Sequence, residues 1–279
     1  MLPPVGRSQP TRREQSGYHT PVESTAATVD REPNLEGRIR PLDNVVELLQ
    51  LRFWWHNAAA PVVDIESFSV ARGERVFVRG PSGSGKSTLL SLIAGVVTPR
   101  AGNVRLLGQD LGMLTGAQRD RFRADHVGFI FQMFNLIPYL SVVENVCLPC
   151  GFSARRSARV RHSVEAEAVR LLEHLDMAAL DILRRPVTEL SVGQQQRVAA
   201  ARALIGAPEL VIADEPTSSL DADRRSAFID LLFRECARSH AALIFVSHDA
   251  TLAPLFDRAL EFADINRACA AGALSSPAQ

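Results

Sequence analysis

Nine consecutive residues, Gly80-Pro81-Ser82-Gly83-Ser84-Gly85-Lys86-Ser87-Thr88, constrain this chain more than any other stretch of it. They satisfy G-x-x-x-x-G-K-[ST]. Glycines let the backbone turn so that successive N–H groups point inward at phosphate oxygens, and a helix beginning at the lysine adds the positive end of its dipole. Lys86 is placed to put a point charge on the β and γ phosphates of a nucleotide, and the Ser87 hydroxyl to bind Mg²⁺. Such a loop needs a strand before it and a helix after it. The flanks agree: RVFVRG reads as a strand, and residues 86–95, KSTLLSLIAG, carry Leu89, Leu90, Leu92 and Ile93 at helical spacing. A strand running through a glycine loop into a helix opens an α/β architecture.

The rest of the chain is read from that frame. VVELLQLRFWW and VVDIESFSV alternate or cluster apolar residues over strand lengths, with Arg72-Gly73 as the turn into RVFVRG. Residues from about 140 to 206 read as mostly helical; within them 160–175 carry a one-sided stripe of Val164, Ala168, Leu171, Leu172 and Leu175. The short apolar runs 210–213 and 241–246 predict strands covered on both faces of a parallel sheet, with a crossover helix over 222–237. Residues 1–40 are rich in Pro, Ser, Thr, Glu and Arg without apolar periodicity, which predicts a flexible tail, and 268–279 read as a frayed end.

LVIADE, residues 210–215, is an apolar strand ending in two carboxylates. Asp214 at its tip is placed to hold Mg²⁺ directly or through water, and Glu215 beside it to polarise an attacking water. Two acids ending a strand at a surface would read the same way in isolation; the upstream loop favours the chemical reading.

Charge excludes one class of function. The 31 basic residues balance 31 acidic ones, whereas affinity for a nucleic-acid backbone needs a clustered basic excess; no nucleic-acid partner is expected. Thirty of the bases are arginine, and the single lysine is Lys86. No stretch reads as a membrane span or a secretory signal. Four cysteines do not make a disulfide framework, and Cys147 and Cys150, though C-x-x-C, stand without a second ligand pair, so they read as small buried thiols.

Further motifs carry a family resemblance. Leu190-Ser191-Val192-Gly193-Gln194-Gln195-Gln196-Arg197 resembles the signature sequence of the ATP-binding-cassette (ABC) ATPases. Gln132, after VGFIF, resembles the Q-loop; Ser218-Ser219-Leu220-Asp221 the D-loop; Val246-Ser247-His248-Asp249 the switch histidine. The resemblance implies a P-loop NTPase core with a mixed or parallel sheet, an N-terminal antiparallel β region and an inserted helical subdomain at about 140–206, within an ATPase domain spanning 41–267. It implies ATP and Mg²⁺ as ligands, Gln132 and His248 beside Glu215 as catalytic groups, and Gln132 beside Ser87 and Asp214 at the metal. It also implies a head-to-tail dimer of two copies, in which Ser191, Val192, Gly193 and Gln194 of one reach the γ-phosphate bound by the other. Asp221 belongs to the D-loop. Val192 stands where glycine is usual, and valine forbids most conformations of positive φ. An aromatic upstream of the loop stacks on adenine in the family; among Phe53, Trp54 and Trp55 the pattern favours Trp55, the alternative being that alternation buries it in the sheet.

Residues 129–149, FIFQMFNLIPYLSVVENVCLP, resemble the corresponding stretch of the bacterial lipoprotein-release and macrolide-export cassettes. That implies a separate integral-membrane permease as partner, a peripheral position on the cytoplasmic face of the inner membrane, and export or extraction as the task. Two alternatives keep the cassette: a force transmitter regulating cell-wall remodelling, or an importer cassette. The importer is disfavoured by the roughly thirty residues after His248.

Overall fold

The structure is a computed structural model describing residues 44–56, 58, 60–177, 180–218 and 220–268. The expected tail over 1–40, and all but the first residue of the expected frayed segment 268–279, lie outside the described residues.

The chain starts with β1 (Asn44–Phe53), β2 (Val63–Ala71), β3 (Arg75–Arg79), α1 (Lys86–Ile93), β4 (Ala101–Leu106) and β5 (Gln109–Asp110). Strands β2-β1-β4-β5 form an antiparallel sheet, with Leu48 opposite Phe68 and Phe53 opposite Val63. Strict alternation fails inside β1: Leu48 and Leu51 are both buried although three residues apart. The extra residue is absorbed where Gln50 takes φ 49° and the register with β4 shifts between Leu49 and Arg52. Gly102 lies against this bulge, where a Cβ would sit 2.1 Å from the Gln50 carbonyl oxygen.

Next come α2 (Gly116–His126), β6 (Val127–Ile130), then five helices, α3 (Val142–Phe152), α4 (Ala154–Arg159), α5 (Val164–His174), α6 (Leu180–Leu183) and α7 (Val192–Leu204). After them follow β7 (Leu210–Asp214), α8 (Ala222–Ser239), β8 (Ala242–Val246), β9 (Arg258–Glu261) and α9 (Phe262–Ile265). The second sheet has the order β6-β7-β8-β3-β9, and its described strands are all parallel. Helix α5 is shorter than the stripe 160–175 predicts: Ser163 accepts a hydrogen bond from the Ala166 N–H (3.1 Å) and caps the helix there, leaving Val160 just past the end of α4.

The continuous apolar runs are explained by two cores, one on each face of the parallel sheet. Val211, Ala213, Leu243 and Phe245 pack with α3, α5, α7 and α8, while Leu210, Ile212, Ile244 and Val246 pack with α1 and the antiparallel sheet. Leu89, Leu90, Leu92 and Ile93 anchor α1 in the second core. At about 1.5–3 kcal/mol for each buried side chain, they fix the helix that follows the glycine loop.

Parallel strands place their C-terminal ends along one edge. Val78 pairs with Val246, Val246 with Asp214, and Ala213 with Ile130. Within two residues after these positions come Gly80, Ser247 and His248, Glu215 and Gln132. Strand β8 separates β3 from β7, so the segment carrying His248 emerges between the glycine loop and Asp214.

Candidate active site

Gly85 precedes α1 with φ 105°, and a Cβ there would lie 2.9 Å from the Val62 carbonyl oxygen. Only glycine meets both conditions without strain. The loop therefore closes tightly over Lys86, which is 7% exposed and donates from Nζ to the carbonyl oxygens of Gly80 and Pro81, each at 2.7 Å. An ammonium with its stem buried and its head bound on one side is held at a fixed position in the cradle. Pro81, Ser82, Gly83 and Ser87 are exposed, Ser84 and Thr88 half-buried. Gly83 has φ 78°.

Ser87 Oγ donates to Asp214 Oδ2 at 2.8 Å, although the two are 127 positions apart. These are hard oxygen donors at adjacent positions, the set that suits Mg²⁺ held by few protein ligands together with phosphates and water. Among the described residues no group of three or more His, Cys, Asp or Glu side chains is arranged to hold a metal.

Glu215 adopts φ 47°, uncommon for a side chain of its size. Its N–H donates to the Val246 carbonyl (2.9 Å), its carbonyl accepts from the Ser218 N–H (3.3 Å), and Oε2 lies 2.9 Å from His248 Nδ1. The left-handed turn bends the backbone across β8 and brings the carboxylate to the imidazole. Glu215's side chain is 14% exposed and His248's 68%, so the pair has a sheltered and an open end.

Gln132 is exposed two residues beyond β6. Phe134 and Asn135, which follow, are both left-handed, with φ 58° and 48°. Arg202 on α7 donates Nη2 to the Phe134 carbonyl and Nη1 to the Asn135 carbonyl, the latter at 2.6 Å. This arginine ties the segment after Gln132 to the helix that begins at Ser191. Sequence reasoning missed it; its only signal was a charge inside the apolar run VAAARAL. Also missed was the ion pair of Arg225 with Asp249, between the start of α8 and the residue after His248.

Ser191 caps α7: its hydroxyl accepts from the Gln194 N–H (3.3 Å) and its own N–H donates to Gln194 Oε1 (2.9 Å). Val192 takes the first helical position, outside the left-handed region, and is 50% exposed. The valine therefore carries no backbone penalty. A Cβ on Gly193 would meet only the Leu220 side chain, at 3.8 Å. Among the described residues no hydrogen bond or ion pair joins Ser191–Gln194 to the glycine loop, Asp214, Glu215 or His248. Asp221 is exposed and caps α8 by accepting from the Arg224 N–H (2.9 Å), while Ser219 lies outside the described residues.

Of the three upstream aromatics, Phe53 is buried, Trp54 half-buried and Trp55 50% exposed, its ring perpendicular to that of Phe53 with centroids 4.9 Å apart. The Phe53 carbonyl accepts from the Val62 N–H (2.8 Å), and Val62 packs on Gly85, which links the tryptophan to the loop. The two thiols of the C-x-x-C are suppressed as nucleophiles: burial pushes Cys147 up to about 12 and raises Cys150 as well.

Comparison with known proteins gives the family. The family profile described as ABC transporter matches residues 63–218. The uncharacterized ABC transporter ATP-binding protein YbbA of Escherichia coli (strain K12) is 45% identical over 192 residues, covering 68% of this chain and 81% of the relative. The corresponding protein Rv0986 of Mycobacterium tuberculosis is 42% identical over 200 residues, covering 71% and 77%. Among solved structures, the ATP-binding cassette MJ0796, determined as a dimer in a post-hydrolysis state bound to ADP and Pi, superposes with a TM-score of 0.68 at 30% identity, covering 77% of this chain and 93% of that one. A glycine loop closed on its lysine, the Ser87–Asp214 and Glu215–His248 pairs at one sheet edge, and this extent of similarity lead to one conclusion: the chain belongs to the ABC transporter family, as an ATP-binding cassette with ATPase activity.

Proposed function

We propose that this cassette powers a separate integral-membrane permease of the lipoprotein-release and macrolide-export kind, working as a head-to-tail pair of copies at the cytoplasmic face of the inner membrane. The observation that carries the catalytic half is the Glu215–His248 contact of 2.9 Å beside the Ser87–Asp214 contact of 2.8 Å. Lys86 and the loop N–H groups bind the β and γ phosphates, and the half-exposed Trp55 ring stacks on adenine. Ser87 and Asp214, with Gln132, would hold Mg²⁺, which supplies charge neutralisation at the phosphates when bound. Glu215 orients and deprotonates the attacking water, and His248 contacts the γ-phosphate oxygens.

Gly193 supports the paired arrangement. Among the described residues a Cβ there would meet only the Leu220 side chain, at 3.8 Å, so the start of α7 is open to an approaching group such as the γ-phosphate bound by a second copy. Leu220 and Arg224, on either side of Asp221, line one pocket with Ser191 and Gly193. Removal of the γ-phosphate releases that contact, an order-to-release switch.

The permease reading rests on the resemblance of residues 129–149 and on a surface next to them. A groove of 490 Å³ is lined by Val96, Phe129, Phe131, Pro149 and Phe152 with Arg202 at its side, and Met133, Tyr139 and Phe152 are 76–83% exposed nearby. Among the described residues no helix is long and apolar enough to cross a membrane. The test is affinity purification of the tagged chain from detergent-solubilised membranes of its own cell. The reading expects a stoichiometric membrane protein with few spans and a large extracytoplasmic domain, lost when Phe152→Asp and Met133→Asp are combined. Recovery of an importer-type permease, or of no membrane protein, would refute it.

A further inference from the structure

We propose that Arg225 is a positioning residue for ATP hydrolysis, holding His248 in register with the turn that ends at Asp221; this rests on the reading of His248 as a γ-phosphate contact. Three segments meet at its guanidinium: the turn after β7, the turn after β8, and the first turn of α8. Nη2 donates to the Leu220 carbonyl at 3.1 Å, and Nη1 pairs with Asp249 Oδ2. The side chains of Arg225 and Asp249 are only 24% and 20% exposed, and Arg225 Nε is buried without a hydrogen-bond partner among the described residues. A charge so sheltered is held where it is by its partner, because separating the two would leave either one desolvated and uncompensated.

Asp249 is fixed at its other oxygen as well. Oδ1 accepts from the Thr251 N–H (3.0 Å) and Thr251 Oγ1 (2.7 Å), and the Asp249 N–H donates to Ser247 Oγ (3.2 Å). His248 thus sits between two anchored residues, while its ring is 68% exposed and has Glu215 as its one hydrogen-bond partner among the described residues. Few side-chain contacts restrain the imidazole, so its backbone sets its place. Asp249 fixes that backbone, Arg225 fixes Asp249, and the Leu220 carbonyl fixes Arg225. Leu220 N–H in turn donates to the Thr217 carbonyl (3.1 Å), inside the turn that starts at Glu215. The planar fork is what allows one side chain to hold two loops; a lysine ammonium can keep the ion pair but presents no second donor in fixed geometry. A shift of the 217–221 turn, whose Leu220 lines one pocket with Ser191 and Gly193, reaches the backbone beside His248 through this group.

Steady-state ATP hydrolysis by the full chain, with Mg-ATP varied, tests this in Arg225→Gln, Arg225→Lys, Asp249→Asn, His248→Ala and the double variant Arg225→Gln/His248→Ala. A misplaced imidazole should lower kcat by about tenfold or more in Arg225→Gln and Asp249→Asn, with KM for ATP within about twofold of wild type. Arg225→Lys should recover part of the loss. The double variant should be no slower than His248→Ala alone, because both changes act through the same ring. An arginine with a merely structural role would instead lower the melting temperature and multiply its loss with that of His248→Ala. Wild-type kcat in folded Arg225→Gln, or multiplied losses in the double variant, overturns the proposal. Should Arg225→Gln not fold, Asp249→Asn with and without His248→Ala is read by the same criteria. Unchanged turnover in His248→Ala overturns the underlying reading of the histidine instead.

Discussion

Glu209 stands at the head of β7, five residues before Asp214, and is 6% exposed. Its Oε1 accepts from Arg155 Nη2 and Arg159 Nη2, each at 2.6 Å, and His126 Nδ1 lies 2.9 Å from Oε2. This one carboxylate joins α2, α4 and the central sheet. Burial acts to raise its pKa, but the hydrogen bonds from His126 and Arg155 and the charges of His126 and Arg159 outweigh it, bringing it from 4.5 to about 2. A difference of that size corresponds to about 3 kcal/mol of stability at neutral pH. Arg155 and Arg159 are 42% and 36% exposed, so solvent screens part of it, and about 2 kcal/mol is the expectation for Glu209→Gln. That is about 4–8 °C in melting temperature for a domain of this length. The sign follows from the lowered pKa. Above about pH 4.5 the carboxylate is charged whether folded or not, and its full contribution is present; as pH falls from 4.5 toward 2 the unfolded chain takes up a proton that the folded chain refuses, and the contribution disappears. Urea unfolding of wild type and Glu209→Gln between pH 3 and 8, followed by circular dichroism, should show a gap that narrows as the pH falls below about 5. Equal stability at pH 7, or a gap that does not narrow on acidification, would refute the reasoning.

Three further outcomes follow from the site. Gly85→Ala should lose ATP binding by more than about tenfold and cost about 1–2 kcal/mol, since its φ of 105° is left-handed and its Cβ meets the Val62 carbonyl; ATP titration and thermal melting read the two effects, and a wild-type Kd would count against a tightly closed loop. Trp55→Ala should weaken ATP by about tenfold while Trp55→Phe keeps most of the affinity; identical affinity in both variants would remove Trp55 from the adenine site. Because Lys86 is the only lysine, an amine-directed reagent followed by mass spectrometry should label Lys86 less in saturating Mg-ATP, and equal labelling would contradict a phosphate contact.

Much of this architecture is legible from the chain because it is written locally. The glycine loop, the apolar runs 210–213 and 241–246 and the crossover helix between them depend on neighbours within a few positions, and from them the parallel sheet follows. The site is legible as separate pieces: Ser87 and Asp214 are 127 positions apart, and only strand order makes their hydroxyl–carboxylate contact visible. Arg225 and Asp249 pair because β7 and β8 are adjacent and end at the same edge, which no spacing within α8 encodes. The bulge at Gln50 and the left-handed turn at Glu215 are equally hidden, since both are imposed by what the backbone must avoid or reach across the sheet. The start of α5 is written locally: Ser163 is an N-cap residue with Glu165 in the first turn after it, a signal that outweighs the apolar stripe reaching back to Val160.

The central claim is that hydrolysis takes place between two copies, with Glu215 of each acting on its own ATP and Ser191 and Gly193 of each completing the site of the other. Light scattering on the Glu215→Gln chain, whose monomer mass is 30.5 kDa, measures this directly. With Mg-ATP the account predicts a species of twice that mass, which returns to monomer in ADP and does not form when Gly193→Glu is added. A chain that stays monomeric in saturating Mg-ATP, or that still hydrolyses ATP at the wild-type rate with glutamine at position 215, would contradict it.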